Sequence, residues 1–342
     1  MAETLLEVKD LHVTFATEDG LVKAVDGVSF ELERGRLLGV VGESGSGKSV
    51  TAMTILGLTR GPNARFEGEV EYKGRDLLQL KENELRRVRG REIAMIFQDP
   101  MTSLNPVYRV GNQIVEAIQT HFDISAKDAR RRAIDLLRQV GIPNAERRFD
   151  DYPHQFSGGM RQRAMIAMAL SCNPDVLIAD EPTTALDVTI QAQILALIDK
   201  LKDDFDSSVI LITHDLGVVA DVADEIVVMY AGRVVERAST REAFYDPQHP
   251  YTWGLLGSIP RIDRPKAEKL YSIEGMPPSL LNPPTGCKFR PRCPHAFEKC
   301  EQEPDLKNHV EDPNHLDRCW LSVDEKRALR EKTISGEAAT AA

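Results

Sequence analysis

The chain has 342 residues, a formal net charge of −10, 42% hydrophobic and 28% charged residues. That length suggests about two domains with ample material for a core, and the acidic balance argues against an overall basic field that would recruit nucleic acid or an anionic membrane surface. No apolar run reaches the roughly 18 residues a bilayer span needs, and Met1-Ala2-Glu3-Thr4-Leu5-Leu6-Glu7 lacks the basic and apolar regions of a secretion signal, so a reducing, cytosolic setting is expected.

From the N-terminus, residues 6–15 alternate apolar and polar side chains and predict a strand, and Glu18-Asp19-Gly20 predicts a turn. Alternation resumes over 22–33. Arg36 to Val41 is an apolar stretch of buried-strand type, followed by Gly42-Glu43-Ser44-Gly45-Ser46-Gly47-Lys48-Ser49, then by apolar residues at helical spacing over 50–58. Strand, glycine-rich turn and helix form the context of a phosphate-binding loop, G-x-x-x-x-G-K-S. In such a loop the backbone amides of 42–49 point at phosphate oxygens, the helix end adds partial positive charge, Lys48 reaches the outer phosphates, and the Ser49 hydroxyl ligates Mg²⁺.

Short strands are predicted at 68–74 and 93–97, helix over 110–140, strands at 176–179 and 209–213 with an amphipathic helix at 189–202 between them, and a hairpin over 225–236. Alternating strands and helices predict an α/β fold with a parallel sheet and an antiparallel layer at its start. The clusters Arg86, Arg87, Arg89, Arg91 and Arg130, Arg131, Arg132 read as solvated helix faces. Val176 to Ala179 ends in Asp180-Glu181. Ligands lie beyond the carboxyl ends of such strands, so Asp180 is a candidate Mg²⁺ ligand and Glu181 a candidate base for polarising water.

After residue 258 prolines crowd in, Pro260 and Pro265 among them, and predict a loop-rich extension over 259–325; the tail 326–342 is expected to be disordered. Cys172 reads as a small structural residue. Cys287, Cys293, Cys300 and Cys319 are spaced C-x5-C-x6-C-x18-C. Without C-x2-C pairs this suits a 4Fe-4S cluster at least as well as Zn²⁺, with His295 and His315 as alternative zinc ligands.

With the phosphate loop and the Asp180-Glu181 pair in place, Phe156-Ser157-Gly158-Gly159-Met160-Arg161-Gln162-Arg163 resembles the signature sequence of ATP-binding-cassette (ABC) transporter ATPases, with Phe for Leu and Met for Gln at its edges. The resemblance implies a P-loop NTPase ABC nucleotide-binding domain over 1–258 with a helical subdomain at about 100–170. It implies a Q-loop at Gln98, which senses Mg²⁺, a D-loop at Ala185-Leu186-Asp187, a switch histidine at His214, and an aromatic platform for adenine at Phe15. Two such domains face head to tail, so Ser157, Gly158, Gly159 and Asp187 would serve ATP held by a partner.

Residues 95–106, 152–163 and 249–252, with the cysteine-bearing end, narrow the resemblance to the ATPase subunits of dipeptide, oligopeptide and nickel permeases. That implies ATP hydrolysis energising peptide import at the cytoplasmic face of the inner membrane. The implied partners are a second ABC ATPase subunit, two membrane-spanning permease subunits and an extracytoplasmic solute-binding protein. The resemblance also points to the 4Fe-4S cluster. Rival readings are a nickel or other small-solute importer and a soluble ABC ATPase acting on nucleic acid.

Overall fold

The computed structural model describes residues 3–99, 103–184, 186–259 and 272–335. Pro100, Met101 and Thr102 of the 95–106 motif, Ala185 of the D-loop, Pro260, Pro265 and the tail beyond 335 lie outside the described residues.

In chain order, β1 (Thr4–Thr17) and β2 (Gly20–Glu33) are long alternating strands. Next come β3 (Leu37–Val41), all five residues buried, and α1 (Lys48–Ile55). Then follow β4 (Ala64–Tyr72), β5 (Arg75–Asp76), α2 (Glu82–Val88) and β6 (Ile93–Ile96). The predicted helical stretch at 110–140 is two helices, α3 (Val110–His121) and α4 (Ala126–Gln139). The break falls where Ser125 caps α4 by accepting from the Asp128 amide, a contact that stabilises a helix start by about 1 kcal/mol. The stretch continues with α5 (Ala145–Arg148) and α6 (Gly158–Ala169). After β7 (Val176–Asp180) come α7 (Val188–Asp204), β8 (Ser208–Thr213), α8 (Leu216–Val219), β9 (Glu225–Tyr230), β10 (Arg233–Ser239), α9 (Thr240–Tyr245) and α10 (Pro250–Gly257). The end of the chain adds β11 (Lys307–Asn308), β12 (Leu316–Asp317) and α11 (Val323–Ser335).

The chain divides into two compact units. The first comprises Met1–Leu5, Leu32–Leu37 and Gln79–Ile212. In it β6, β7 and β8 pair in parallel. The strands of β7 and β8 are buried throughout, as parallel strands covered on both faces must be. Its helices bury one stripe each, such as Ile114 and Ile118 on α3 and Ile194, Leu197, Ile198 and Leu201 on α7. Each fully buried Ile or Leu contributes about 1.5–3 kcal/mol.

The arginine clusters of this unit act locally. Arg130 lies 3.9 Å from the Phe149 ring centre and bonds Asp150, Arg131 bonds Asp128, and Arg132 bonds Asn173.

The second unit comprises Leu6–Glu31, Leu38–Leu78 and Thr213–Ala342. Strands β2, β1, β4 and β5 form an antiparallel sheet in that order. Its β1–β4 register shifts between Lys9 and His12, where Gly68 has φ 95° and an added Cβ would meet the Asp10 carbonyl at 2.3 Å. A second sheet pairs β3 with β9 in parallel, then β10, β12 and β11 antiparallel.

The tail differs from the expectation of disorder over 326–342: α11 runs to Ser335. Ser322 and Glu325 form a capping box at its start, and Lys326 is buried against Asp317 at 2.7 and 2.8 Å. Those local and long-range bonds outweigh its polar composition.

Candidate functional site

In the second unit the phosphate loop joins β3 to α1. Gly47 is the N-terminal boundary of α1 with φ 99°, a left-handed conformation, and a Cβ there would meet the Ala24 carbonyl at 2.5 Å. No side-chain hydrogen bond caps this helix start, and a helix N-terminus is a favourable place for an anion. Lys48 is buried, and its ammonium curls back to donate to the Gly42 carbonyl at 2.5 Å and the Glu43 carbonyl at 3.0 Å. The Gly232 amide at the β9–β10 turn donates to the Ser46 carbonyl at 2.9 Å, fixing the loop from the outside. Ser49 follows Lys48 on the first turn of α1, half-buried. Phe15 is half-buried near the end of β1, opposite Ala64 on β4. His214 leaves β8 exposed, and Asp215 behind it accepts from the Gly217 amide.

In the first unit Asp180 is the last residue of β7 and is buried. Glu181 holds φ 46°, a backbone conformation that costs a non-glycine residue about 1 kcal/mol or more. Its amide donates to the Ile212 carbonyl at 2.9 Å. Its Oε2 accepts from Gln98 Nε2 at 2.9 Å and from the Thr184 hydroxyl at 2.9 Å. The structure therefore brings Gln98 and Glu181 together, and it adds Thr184, which no motif singles out. Ser157 caps α6 by accepting from the Met160 amide at 3.3 Å, and Ser157 and Gly158 are exposed at the helix tip. Asp187 caps α7 in the same way through the Ile190 amide at 3.0 Å.

Cys172 is buried, as expected of a structural residue. Cys287, Cys293, Cys300 and Cys319 line one small cavity with His295. Burial pushes the Cys287 thiol up to about 11 and the Cys293 and Cys319 thiols up to about 12. Among the described residues no three His, Cys, Asp or Glu side chains are gathered closely enough to hold a metal ion, so the expected cluster or zinc site draws no support from the geometry. His315 is not a candidate ligand: it is buried on Glu236, 2.9 Å away. Buried polar groups take partners of this kind, and a glutamate on β10, 79 positions away, carries no local sequence signal for it.

Comparison with known proteins places these features. Residues 25–184 match the ABC transporter family, and residues 235–300 match the oligopeptide/dipeptide transporter C-terminal region. The oligopeptide transport ATP-binding protein OppD of Salmonella typhimurium is 53% identical over 324 residues, 95% of this chain and 96% of that one. The dipeptide transport ATP-binding protein DppD of Lactococcus lactis is 55% identical over 322 residues, 93% of this chain and 91% of that one. A solved dimeric ATP-binding cassette, in a post-hydrolysis state with ADP and phosphate, superposes with a TM-score of 0.62 at 28% identity, covering 69% of this chain and 99% of its own. Among the described residues no helix is long and apolar enough to cross a membrane. An amide cradle with its lysine, an acidic pair ending a buried strand, a serine–glycine helix tip and full-length relatives converge: the chain is an ATPase of the ABC transporter family, in the oligopeptide/dipeptide group.

Proposed function

We propose that this ATPase energises import of di- and oligopeptides, working on the cytoplasmic face of the membrane. Its partners would be a second ABC ATPase, two membrane-spanning permease subunits and an extracytoplasmic solute-binding protein. The observation that carries the reading is near full-length identity to OppD and DppD together with an intact Gly42–Ser49 cradle.

In this mechanism Lys48 and the amides of 42–49 bind the triphosphate, and Phe15 packs against the base. Ser157, Gly158, Gly159 and Asp187 serve the nucleotide of the partner ATPase. Glu181 polarises the attacking water, while His214 holds the γ-phosphate. Ser49, Gln98 and Asp180 offer a hydroxyl, an amide carbonyl and a carboxylate, hard oxygen donors that suit Mg²⁺. Bound Mg²⁺ would offset charge on the β- and γ-phosphates. Reconstituted with its partner subunits in liposomes, the protein should couple ATP hydrolysis to uptake of a peptide; nickel uptake without peptide uptake would overturn the cargo.

As a donor set the four terminal thiols suit a 4Fe-4S cluster, although among the described residues no three such side chains are gathered closely enough to hold a metal ion. Iron and acid-labile sulfide in anaerobically purified protein would support this; zinc alone would refute it.

A further inference from the structure

The segment 287–293 alternates its loyalties. Cys287 and Cys293 line the cysteine cavity, while Arg292 between them bonds Glu43 of the phosphate loop and Lys288 bonds Asp26 and Ala231, within the same unit. The Arg292 side chain is almost wholly buried. Its two terminal nitrogens donate to both oxygens of Glu43, at 2.6 and 3.0 Å. Glu43 is the second residue of the loop, and its carbonyl, with that of Gly42, holds Lys48. Arg292 is itself fixed by the carbonyls of Glu274, at 3.0 Å, and Ile273, at 3.3 Å, and it also reaches the Tyr230 hydroxyl at 3.4 Å. The Glu43 amide donates to the Tyr251 hydroxyl at 2.9 Å. Phe289 packs against the rings of both Tyr230 and Tyr251. Lys288 donates to Asp26 at 2.6 Å and to the Ala231 carbonyl at 3.2 Å, next to the Gly232 amide that holds Ser46.

Two physical consequences follow. A bidentate arginine–carboxylate fork fixes orientation as well as distance, so the loop is held by a rigid partner. A carboxylate inside an anion-binding loop opposes binding of a triphosphate, and the arginine offsets that charge.

We propose that Arg292 is a positioning residue for the phosphate loop. By gripping and neutralising Glu43 it keeps the amide cradle shaped for the triphosphate, which makes the cysteine-bearing C-terminal region part of the nucleotide site. The inference rests on the reading of Gly42–Ser49 as the ATP cradle; failure of the wild-type assembly to hydrolyse ATP would sink that reading, whereas the variants below test Arg292 alone.

The test measures ATP hydrolysis by the assembled transporter. Arg292→Ala should raise KM for ATP about tenfold, the equivalent of about 1.4 kcal/mol, with kcat changed less than about twofold. Glu43→Gln should raise it less, since it loses the grip but also removes the opposing charge. The double variant should match Glu43→Gln alone, because without the carboxylate there is nothing for Arg292 to neutralise or hold. Arg290→Ala, in the same segment but paired with Glu301 at 3.5 Å rather than with the phosphate loop, should leave KM unchanged. An unchanged KM in Arg292→Ala, or penalties that multiply in the double variant, would overturn the proposal. Should Arg292→Ala fail to fold, Glu43→Gln decides: a KM rise of about threefold supports it and an unaltered KM refutes it.

Discussion

Gln98 donates its side-chain amide to the Glu181 carboxylate at 2.9 Å, joining the loop after β6 to the residue after β7. Thr184 donates to the same oxygen, so two donors fix the direction of the carboxylate. Glu181→Gln keeps the shape and removes the charge that polarises water. Turnover of ATP should fall by at least about a hundredfold, within the usual range for loss of a general base, while ATP affinity stays within about twofold. Steady-state hydrolysis and equilibrium binding separate the two; a variant with normal turnover would disprove the role of Glu181.

Lys48 is buried among its own loop carbonyls. In Lys48→Ala those carbonyls keep each other company without a cation, and the cradle loses its charge for the outer phosphates. ATP at about a hundred times its dissociation constant stabilises a binding protein by about 2.7 kcal/mol. The wild-type melting temperature should rise with ATP, and that of Lys48→Ala should not.

Gly111 on α3 is a packing glycine. A Cβ there would lie 2.3 Å from carbons of the Phe149 ring. Gly111→Ala should destabilise the fold by about 1–3 kcal/mol despite the better helix propensity of alanine, because the buried ring cannot move aside freely. Denaturant unfolding measures it, and a stabilised variant would contradict the packing described.

The buried Glu236–His315 pair sets a pH window. Burial opposes the charge on His315, but bonding and attraction to Glu236, with help from Glu242 and Asp317, outweigh it and raise its proton affinity. Burial likewise opposes the charge on Glu236, and His315 outweighs it and lowers that pKa. A raised histidine contributes fully below its unfolded value of about 6.5 and loses the contribution as pH climbs through the folded value; a lowered glutamate contributes above about 4.5 and loses it as pH falls. The difference in melting temperature between wild type and His315→Gln should therefore be largest near pH 6 and shrink towards pH 9. A gap that widens with alkalinity would reverse the sign assigned here.

Legibility in the sequence tracked the range of the interactions. The strand at 37–41, the loop after it and the helix at 48–55 are written in contiguous residues, as are the apolar run ending at Asp180 and the hairpin at 225–239. Ser157, Gly158 and Gly159 were readable as a helix start because a cap is a local device. The C-terminal region is held differently. Asp317 meets Lys326, His315 meets Glu236, and Lys288 meets Asp26 across 262 positions. Two-residue strands carry no periodicity, and a charged tail gives no hint that one of its lysines is interior. Arg292 carries no sequence signal for the same reason: nothing near it in sequence points to Glu43.

The clasp at Asp26 carries a practical lesson for dissecting the protein. Burial works against that carboxylate, yet Lys288 and Arg233 hold it ionised well below the ordinary range. Trimming the polypeptide near residue 258, at the apparent end of the cassette, would strip away Lys288 and uncover the Tyr230 and Tyr251 rings that Phe289 now shields. A shortened cassette of this kind should be sticky and poorly soluble, and catalytic failure in it would speak of lost upholstery rather than of a dispensable tail.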